Sequence, residues 1–290
     1  MIAAALMWSI AGVVSRHLDA ARSFEVTFWR SAFNALALVI LLSWMRGPAV
    51  LANAIRQGGR SLWLSGLCWC VMFTAFMIAI TLTTVANVLV TMSVGPLFTA
   101  LLARGVLGHR LAPRTWVAIA VAGVGIAWMY GHEVSGSEPR HLLGVAVALA
   151  VPVAAAVNWT LLQHLRGRDV AGNDMLPAVL IGALLSALIT LPLSLPFEAT
   201  TKDLSLLALL GTVQLAIPCL MSVMVARVLS APEISLLGLL EVIFGVAWAW
   251  LGAGEQPSVA VLGGGALVLG ALVLNEVLSL HARARPTGAS

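Results

Sequence analysis

Ten apolar runs, separated by short polar links, fill the chain almost from end to end. They cover residues 2–15, 24–44, 62–81, 84–102, 114–130, 141–163, 174–195, 204–226, 232–251 and 258–278. A helix needs about 20 residues to cross the hydrocarbon core of a bilayer, and the runs lack the alternation of a membrane β-barrel. The pattern predicts an all-α membrane protein with ten transmembrane helices.

The composition excludes several classes of protein. Only 10% of the 290 residues are charged, which is too few to cover a water-soluble core on all sides. The basic residues lie in the gaps between runs and form no single basic face, so no nucleic-acid partner is expected. The lone lysine, Lys202, stands in Thr-Lys-Asp and outside any Walker A motif. The expected partners are the lipid bilayer and a small-molecule substrate, and we expect the protein to function as a monomer.

The distribution of basic residues predicts the orientation. If the N-terminus is cytoplasmic, the inner loops hold eleven arginines and the outer loops four basic residues. Basic residues concentrate on the cytoplasmic side, which predicts a multi-pass protein of a bacterial-type inner (plasma) membrane with both termini inside. The first run is short and lacks a basic leader, so we interpret it as a helix and not as a signal peptide.

The chain contains a weak internal repeat. A shift of 146 residues brings the segment 91–98 over 237–244 and Gly108 over Gly254. Each half then holds five runs, and because five is odd, the second half must cross the membrane in the opposite sense. The sequence predicts two inverted five-helix repeats, residues 1–140 and 141–290. Such repeats are typical of secondary transporters, with the substrate site near the midplane between them.

The strongest motif lies in the fourth run. Residues 86–103, ANVLVTMSVGPLFTALLA, are followed by LGHRL and Trp116, and the second half carries SLLGLLEVIF and then LGAGE up to Glu255. These blocks resemble the EamA-type repeat of the drug/metabolite transporter superfamily. The sequence departs from the usual family motif at three positions, where Gly95, His109 and Val242 replace Ser, Glu and Pro.

The resemblance implies a non-enzymatic exporter of small metabolites that needs no cofactor. Neutral or aromatic amino acids are the substrates it favours, carried by alternating access as one five-helix repeat rocks against the other. A multidrug or quaternary-cation exporter is the alternative within the same class.

Polar and deep aromatic side chains within the runs are the candidate cavity residues, because polar groups are costly in hydrocarbon and tend to be functional. Helical spacing places several of them on shared faces of the fourth and ninth runs. The predicted substrate-binding set is Trp8, Arg30, Trp69, Phe73, Met77, Asn87, Thr91, Phe98, Asn158, Trp159, Gln214, Pro218, Ser222, Leu237, Glu241 and Phe244.

Several of these residues have two interpretations. Arg30 either pairs with Glu25 or with a helix C-terminus, or it faces the cavity and holds a substrate carboxylate. Glu241 either couples protons to transport or has a structural or gating role. Asn87 and Thr91 either line the cavity or join helices by hydrogen bonds.

A non-transport scaffold or an intramembrane enzyme is the remaining class. Intramembrane proteolysis would need a Ser/His pair, an Asp pair or a zinc motif within the runs, and the sequence shows none. All six histidines fall at or beyond the ends of runs, so no metal site and no catalytic residue is predicted.

Overall fold

The computed structural model describes residues 1–21, 23–108, 113–134, 139–166 and 174–284. Most of these residues are helical, and none of them lies in a strand. Four arginines counted for the orientation, residues 22, 110, 168 and 285, lie outside the described residues. The elements are α1 (Ile2–Ser15), α2 (Ser23–Arg46), α3 (Pro48–Arg56), α4 (Arg60–Leu82), α5 (Val85–Met92), α6 (Gly95–Leu107), α7 (Pro113–Val134), α8 (Pro139–Arg166), α9 (Leu176–Ser194), α10 (Thr201–Leu209), a π-helical segment (Leu210–Ala216), α11 (Ile217–Val225), α12 (Ala231–Ala253) and α13 (Val259–Ala284).

Among the described residues, seven helical segments are long and apolar enough to cross a membrane. They are Phe24–Arg46, Arg60–Leu82, Val85–Val106, Pro139–Arg166, Leu176–Ser194, Thr201–Val225 and Ala231–Ala253. Shorter apolar helices, Ile2–Ser15, Trp116–Gly125 and Leu262–Asn275, occupy the first, fifth and tenth predicted runs. At 1.5 Å per residue, the 14 residues of α1 extend about 21 Å, short of the ~30 Å hydrocarbon core. By length and composition, seven of the ten predicted spans are therefore supported.

Two of the spanning segments are interrupted. The fourth run breaks at Ser93 and Val94, and α6 restarts with Pro96 in its first turn, where a proline needs no helical hydrogen-bond partner. The eighth run passes through the π-helical segment before Pro218 opens α11. Such π-helical turns often occur at functional sites.

The most extensive helix–helix contacts all join an element before residue 140 to one after it. They are the contacts of α4 with α8 and α9, of α2 with α9, of α1 with α12, of α6 with α8, and of α7 with α13. Close approach requires glycine at Gly211, where an added Cβ would lie 2.6 Å from the carbonyl oxygen of Arg30. The π-helical segment therefore packs directly against α2 at the level of that arginine.

Candidate functional site

A cavity of about 140 Å³ lies among α1, α2, α4, the α5–α6 break, α8, the π-helical segment with α11, and α12. Its wall is mainly aromatic and aliphatic. Seven residues of the predicted set line it, namely Trp8, Arg30, Trp69, Phe73, Trp159, Gln214 and Glu241. The structure thus brings both predicted mid-span charges to one cavity.

The other nine predicted residues do not line this cavity. They are Met77, Asn87, Thr91, Phe98, Asn158, Pro218, Ser222, Leu237 and Phe244. Two of them make local hydrogen bonds: Asn87 Nδ2 donates to Thr83 Oγ1 at 3.0 Å, and Thr91 Oγ1 donates to the Asn87 carbonyl within α5 at 2.7 Å. Asn158 accepts from Ser65 Oγ at 2.6 Å. This last bond joins α8 to α4, as polar side chains do within a membrane.

The break in the fourth run explains part of this difference. An unbroken helix would present Asn87, Thr91 and Gly95 on one face. Because the helix ends at Met92 and restarts at Gly95, the register changes between them. The cavity is lined from this region by Met92, Gly95 and Pro96, while Asn87 and Thr91 remain in the helix packing.

Helix α12 presents a different face from the predicted one. Its cavity side includes Ile234, Gly238 and Glu241, spaced by four and three residues, while Leu237 and Phe244 lie off it. The sequence signal that could have identified this face is Gly238, since a residue without a side chain one turn before a mid-span carboxylate leaves space for a ligand. Other lining residues that the sequence did not single out are Met1, Val151, Pro152, Ala155, Leu215, Cys219, Ser235, Leu239 and Val242.

Arg30 on α2 is only 2% exposed and incompletely partnered. Its Nη2 donates to Gln214 Oε1 at 3.0 Å, and its guanidinium carbon lies 5.6 Å from the Phe76 ring centroid. Its Nε and Nη1 atoms are buried without a hydrogen-bond partner. Arg30 does not pair with Glu25, whose carboxylate instead accepts the backbone N–H groups of residues 198 and 199 at 2.8–3.0 Å. The arginine therefore keeps donor capacity at the cavity wall.

Glu241 provides the opposite charge. It is half-buried in the middle of α12, and its carboxylate makes no hydrogen bond or ion pair with any part of the chain that the structure describes. Arg30 and Glu241 attract one another electrostatically, yet no salt bridge joins them. The cavity wall thus carries a guanidinium and a carboxyl group that no salt bridge joins.

Aromatic rings form the wall on the α4 and α8 side. The Trp69 ring centroid lies 5.7 Å from that of Trp159, edge to face, and 5.5 Å from that of Phe73. Trp69 Nε1 is buried without a partner, so this wall is apolar with one free donor. Rings in this arrangement favour an apolar or aromatic group.

A polar cluster closes the bundle beyond one end of the cavity. Arg16 Nε donates to Glu255 Oε1 at 2.6 Å, and Arg16 Nη2 donates to the Thr83 carbonyl at 3.0 Å. The Val85 N–H donates to Glu255 Oε2 at 3.0 Å. The lining residues of α12 fall at 234–242, in the half of that helix remote from Glu255.

At the opposite end, Asp174 joins two arginines. Its carboxylate accepts from Arg46 at 2.5 Å and from Arg227 at 3.3 Å.

Among the described residues, no group of three or more His, Cys, Asp or Glu side chains could hold a metal ion.

Comparison with known proteins bears on the family and the fold. Residues 1–131 match the EamA-like transporter family. An S-adenosylmethionine uptake transporter of Rickettsia prowazekii (strain Madrid E) is 25% identical over 208 residues, which make up 70% of this chain and 66% of the relative. The match thus spans slightly less than two thirds of that relative's length.

A solved crystal structure has the same fold. It superimposes with a TM-score of 0.68 at 19% identity, covering 97% of this chain and 96% of the other. At this level of identity the likeness concerns the fold alone. The family match covers residues 1–131, whereas the structural likeness covers almost the whole chain.

Proposed function

We propose that this protein is a secondary transporter of small zwitterionic metabolites that carry an α-amino-acid group and an apolar portion. Neutral and aromatic amino acids are the proposed substrates. The observation that carries this proposal is the cavity shared by Arg30 and Glu241, two ionisable side chains of opposite type that form no ion pair with any residue the structure describes.

The physical reason is the cost of unpaired charge away from water. A buried ion without a partner is strongly unfavourable, and a zwitterion supplies both missing partners at once. Its carboxylate would accept from the guanidinium of Arg30 in a charge-assisted hydrogen bond, and its ammonium group would face Glu241. The aromatic wall of Trp69, Phe73 and Trp159 would receive the apolar portion.

Two substrate types share this chemistry. S-adenosylmethionine, the molecule in the name of the Rickettsia relative, also bears an α-carboxylate and an α-ammonium group. A quaternary cation without a carboxylate would leave Arg30 unpaired, so the geometry favours zwitterions over the multidrug alternative. The family resemblance implies export, whereas the Rickettsia relative is named for uptake. Counterflow measures exchange across the membrane, so it does not depend on the direction of net transport.

We also propose ten spans arranged as two inverted repeats, residues 1–140 and 141–290, with both termini cytoplasmic and the monomer as the working unit in a bacterial-type inner membrane. The family match over residues 1–131 ends close to the proposed boundary. The helix contacts support a pseudo-two-fold axis. Helix α2 packs on α9, its equivalent in the second repeat, and α7 packs on its equivalent α13. The contact of α1 with α12 is the equivalent of the contact of α8 with α6. Alternating access between the two sides is the mechanism such repeats support.

Counterflow in proteoliposomes tests the function. Vesicles preloaded with unlabelled amino acid should accumulate labelled neutral or aromatic amino acid, or labelled S-adenosylmethionine, without ATP. In Glu241→Gln we expect about tenfold weaker apparent affinity, because a charge-assisted hydrogen bond to the ammonium group is lost. Glu198→Gln removes a carboxylate from an exposed site and should behave as wild type. Absence of counterflow for every zwitterion, or equal kinetics in wild type and Glu241→Gln, would contradict the proposal.

A further inference from the structure

Among the residues that the structure describes, Gln214 is the side chain that hydrogen-bonds to Arg30. Its Oε1 accepts from Arg30 Nη2 at 3.0 Å, and its Nε2 donates to the Trp8 carbonyl oxygen at 3.0 Å. A guanidinium can only donate and a carbonyl can only accept, so these two neighbours fix the amide orientation. Gln214 is 1% exposed, and its two hydrogen bonds tie α1, α2 and the π-helical segment together at the cavity wall.

The backbone around Gln214 brings its amide to this position. Gln214 lies within Leu210–Ala216, where the wider π-helical turn changes the direction of each following side chain relative to an α-helix. Gly211 in the same segment contacts the backbone of α2 at Arg30 so closely that a side chain there would clash. These two features place a neutral amide against the guanidinium.

We infer that Gln214 is a positioning residue that makes the cavity selective for carboxylate-bearing substrates; this inference rests on the proposed function. A neutral acceptor fixes Arg30 while leaving its positive charge uncompensated, so the charge is free for the substrate. A carboxylate at position 214 would form an ion pair with Arg30 and compete with the substrate carboxylate. The choice of glutamine over glutamate therefore sets whether the cavity binds a zwitterion or a simple amine.

The test uses a matched pair of ligands, phenylalanine and phenethylamine, which differ by one carboxylate. Binding of each to the purified full-length protein in detergent is measured for wild type, Gln214→Glu and Gln214→Met. In Gln214→Glu we expect phenylalanine to bind at least about tenfold more weakly, since a hydrogen bond between two charged groups is lost. Phenethylamine should bind as in wild type or more tightly, so the ratio of the two affinities falls by about tenfold.

Gln214→Met keeps the size of the side chain but removes both hydrogen bonds. We expect a smaller fall in the same ratio, because Arg30 keeps its charge but loses its fixed position. Thr212→Ala is the matched control: Thr212 lies in the same π-helical segment and its Oγ1 bonds the Ala208 carbonyl at 2.6 Å, away from Arg30. This variant should keep the wild-type ratio.

The outcomes separate this inference from the proposed function. If Gln214→Glu and Gln214→Met weaken both ligands equally, Gln214 has only a structural role and the inference is wrong. If Arg30→Met abolishes the preference for phenylalanine but neither Gln214 variant changes it, the transport proposal stands and the positioning role fails. If the wild-type protein does not distinguish the two ligands, both proposals fail.

Discussion

Two sets of buried charges in this protein differ in how completely they are partnered. Glu25 and Asp203 are both fully buried, and each carboxylate accepts several backbone N–H groups. Asp203 receives them from residues 19, 20, 21 and 200 at 2.7–3.3 Å. Arg30, as deeply buried, has two nitrogens without a partner, and Glu241 has no partner among the described residues.

The difference teaches how to tell a structural charge from a ligand-binding one. Charge of either kind is costly to bury, so a structural site saturates it with protein donors. A binding site leaves some hydrogen-bonding atoms of the charged group without a protein partner, and the ligand supplies that partner. Saturation with protein partners, and not burial, separates Glu25 and Asp203 from Arg30. Glu241 differs from them in both respects, since it is half-buried.

The largest effect is expected from Arg30→Met. Removing the guanidinium should weaken binding of a carboxylate-bearing substrate by about 100-fold, the upper range for a charged hydrogen bond. The thermal stability of the substrate-free protein should stay the same or rise, because an incompletely paired buried charge is removed. Ligand affinity and thermal unfolding in detergent measure the two. A lower melting temperature with unchanged affinity would place Arg30 in the structural set.

Asp203→Asn is expected to lower the stability of the protein without changing its affinity for substrate. The amide can accept fewer hydrogen bonds than the carboxylate, which leaves backbone donors of residues 19–21 unsatisfied and lowers the free energy of unfolding by about 2 kcal/mol. Substrate affinity should not change, since Asp203 lies outside the cavity. Thermal unfolding and binding measured on the same sample check this, and a selective loss of affinity would undermine the distinction between the two sets.

The smallest effect is expected at an exposed ion pair. Lys202 Nζ lies 2.8 Å from Asp19 Oδ1, with both side chains more than half exposed. Pairs of this kind contribute roughly 0–1 kcal/mol, so Lys202→Met should shift neither the melting temperature nor transport measurably. A clear loss of stability would show that the Asp19 region depends on more than the backbone hydrogen bonds to Asp203.

The class of fold could be predicted from the sequence because hydropathy acts locally along the chain. The apolar runs identify helical membrane segments without reference to any tertiary contact. Cavity residues such as Trp69 and Trp159 could also be proposed, since tryptophan deep within a span is unusual compared with tryptophan at its ends. Arg30 and Glu241 stood out because mid-span charges are costly.

The rest depends on backbone irregularities that periodicity does not reveal. Extrapolating an ideal helix through residues 93 and 94 assigned Asn87 and Thr91 to the cavity face, but the structure breaks the helix there. The face of α12 is set by its packing against α1 and α5, which no local pattern encodes. The role of Gln214 depends on a π-helical turn and on atoms of two other helices, so its partners could not be identified from spacing.

The intermixing of the two halves has a consequence for movement. Because the large interfaces join elements before residue 140 to elements after it, rocking one half of the sequence as a rigid body against the other would disrupt all of them at once. A displacement that preserves these interfaces must regroup helices from both halves. The hinges of such a displacement would then lie within each half, at irregular points such as the α5–α6 break and the π-helical segment, and not at the link near residue 140.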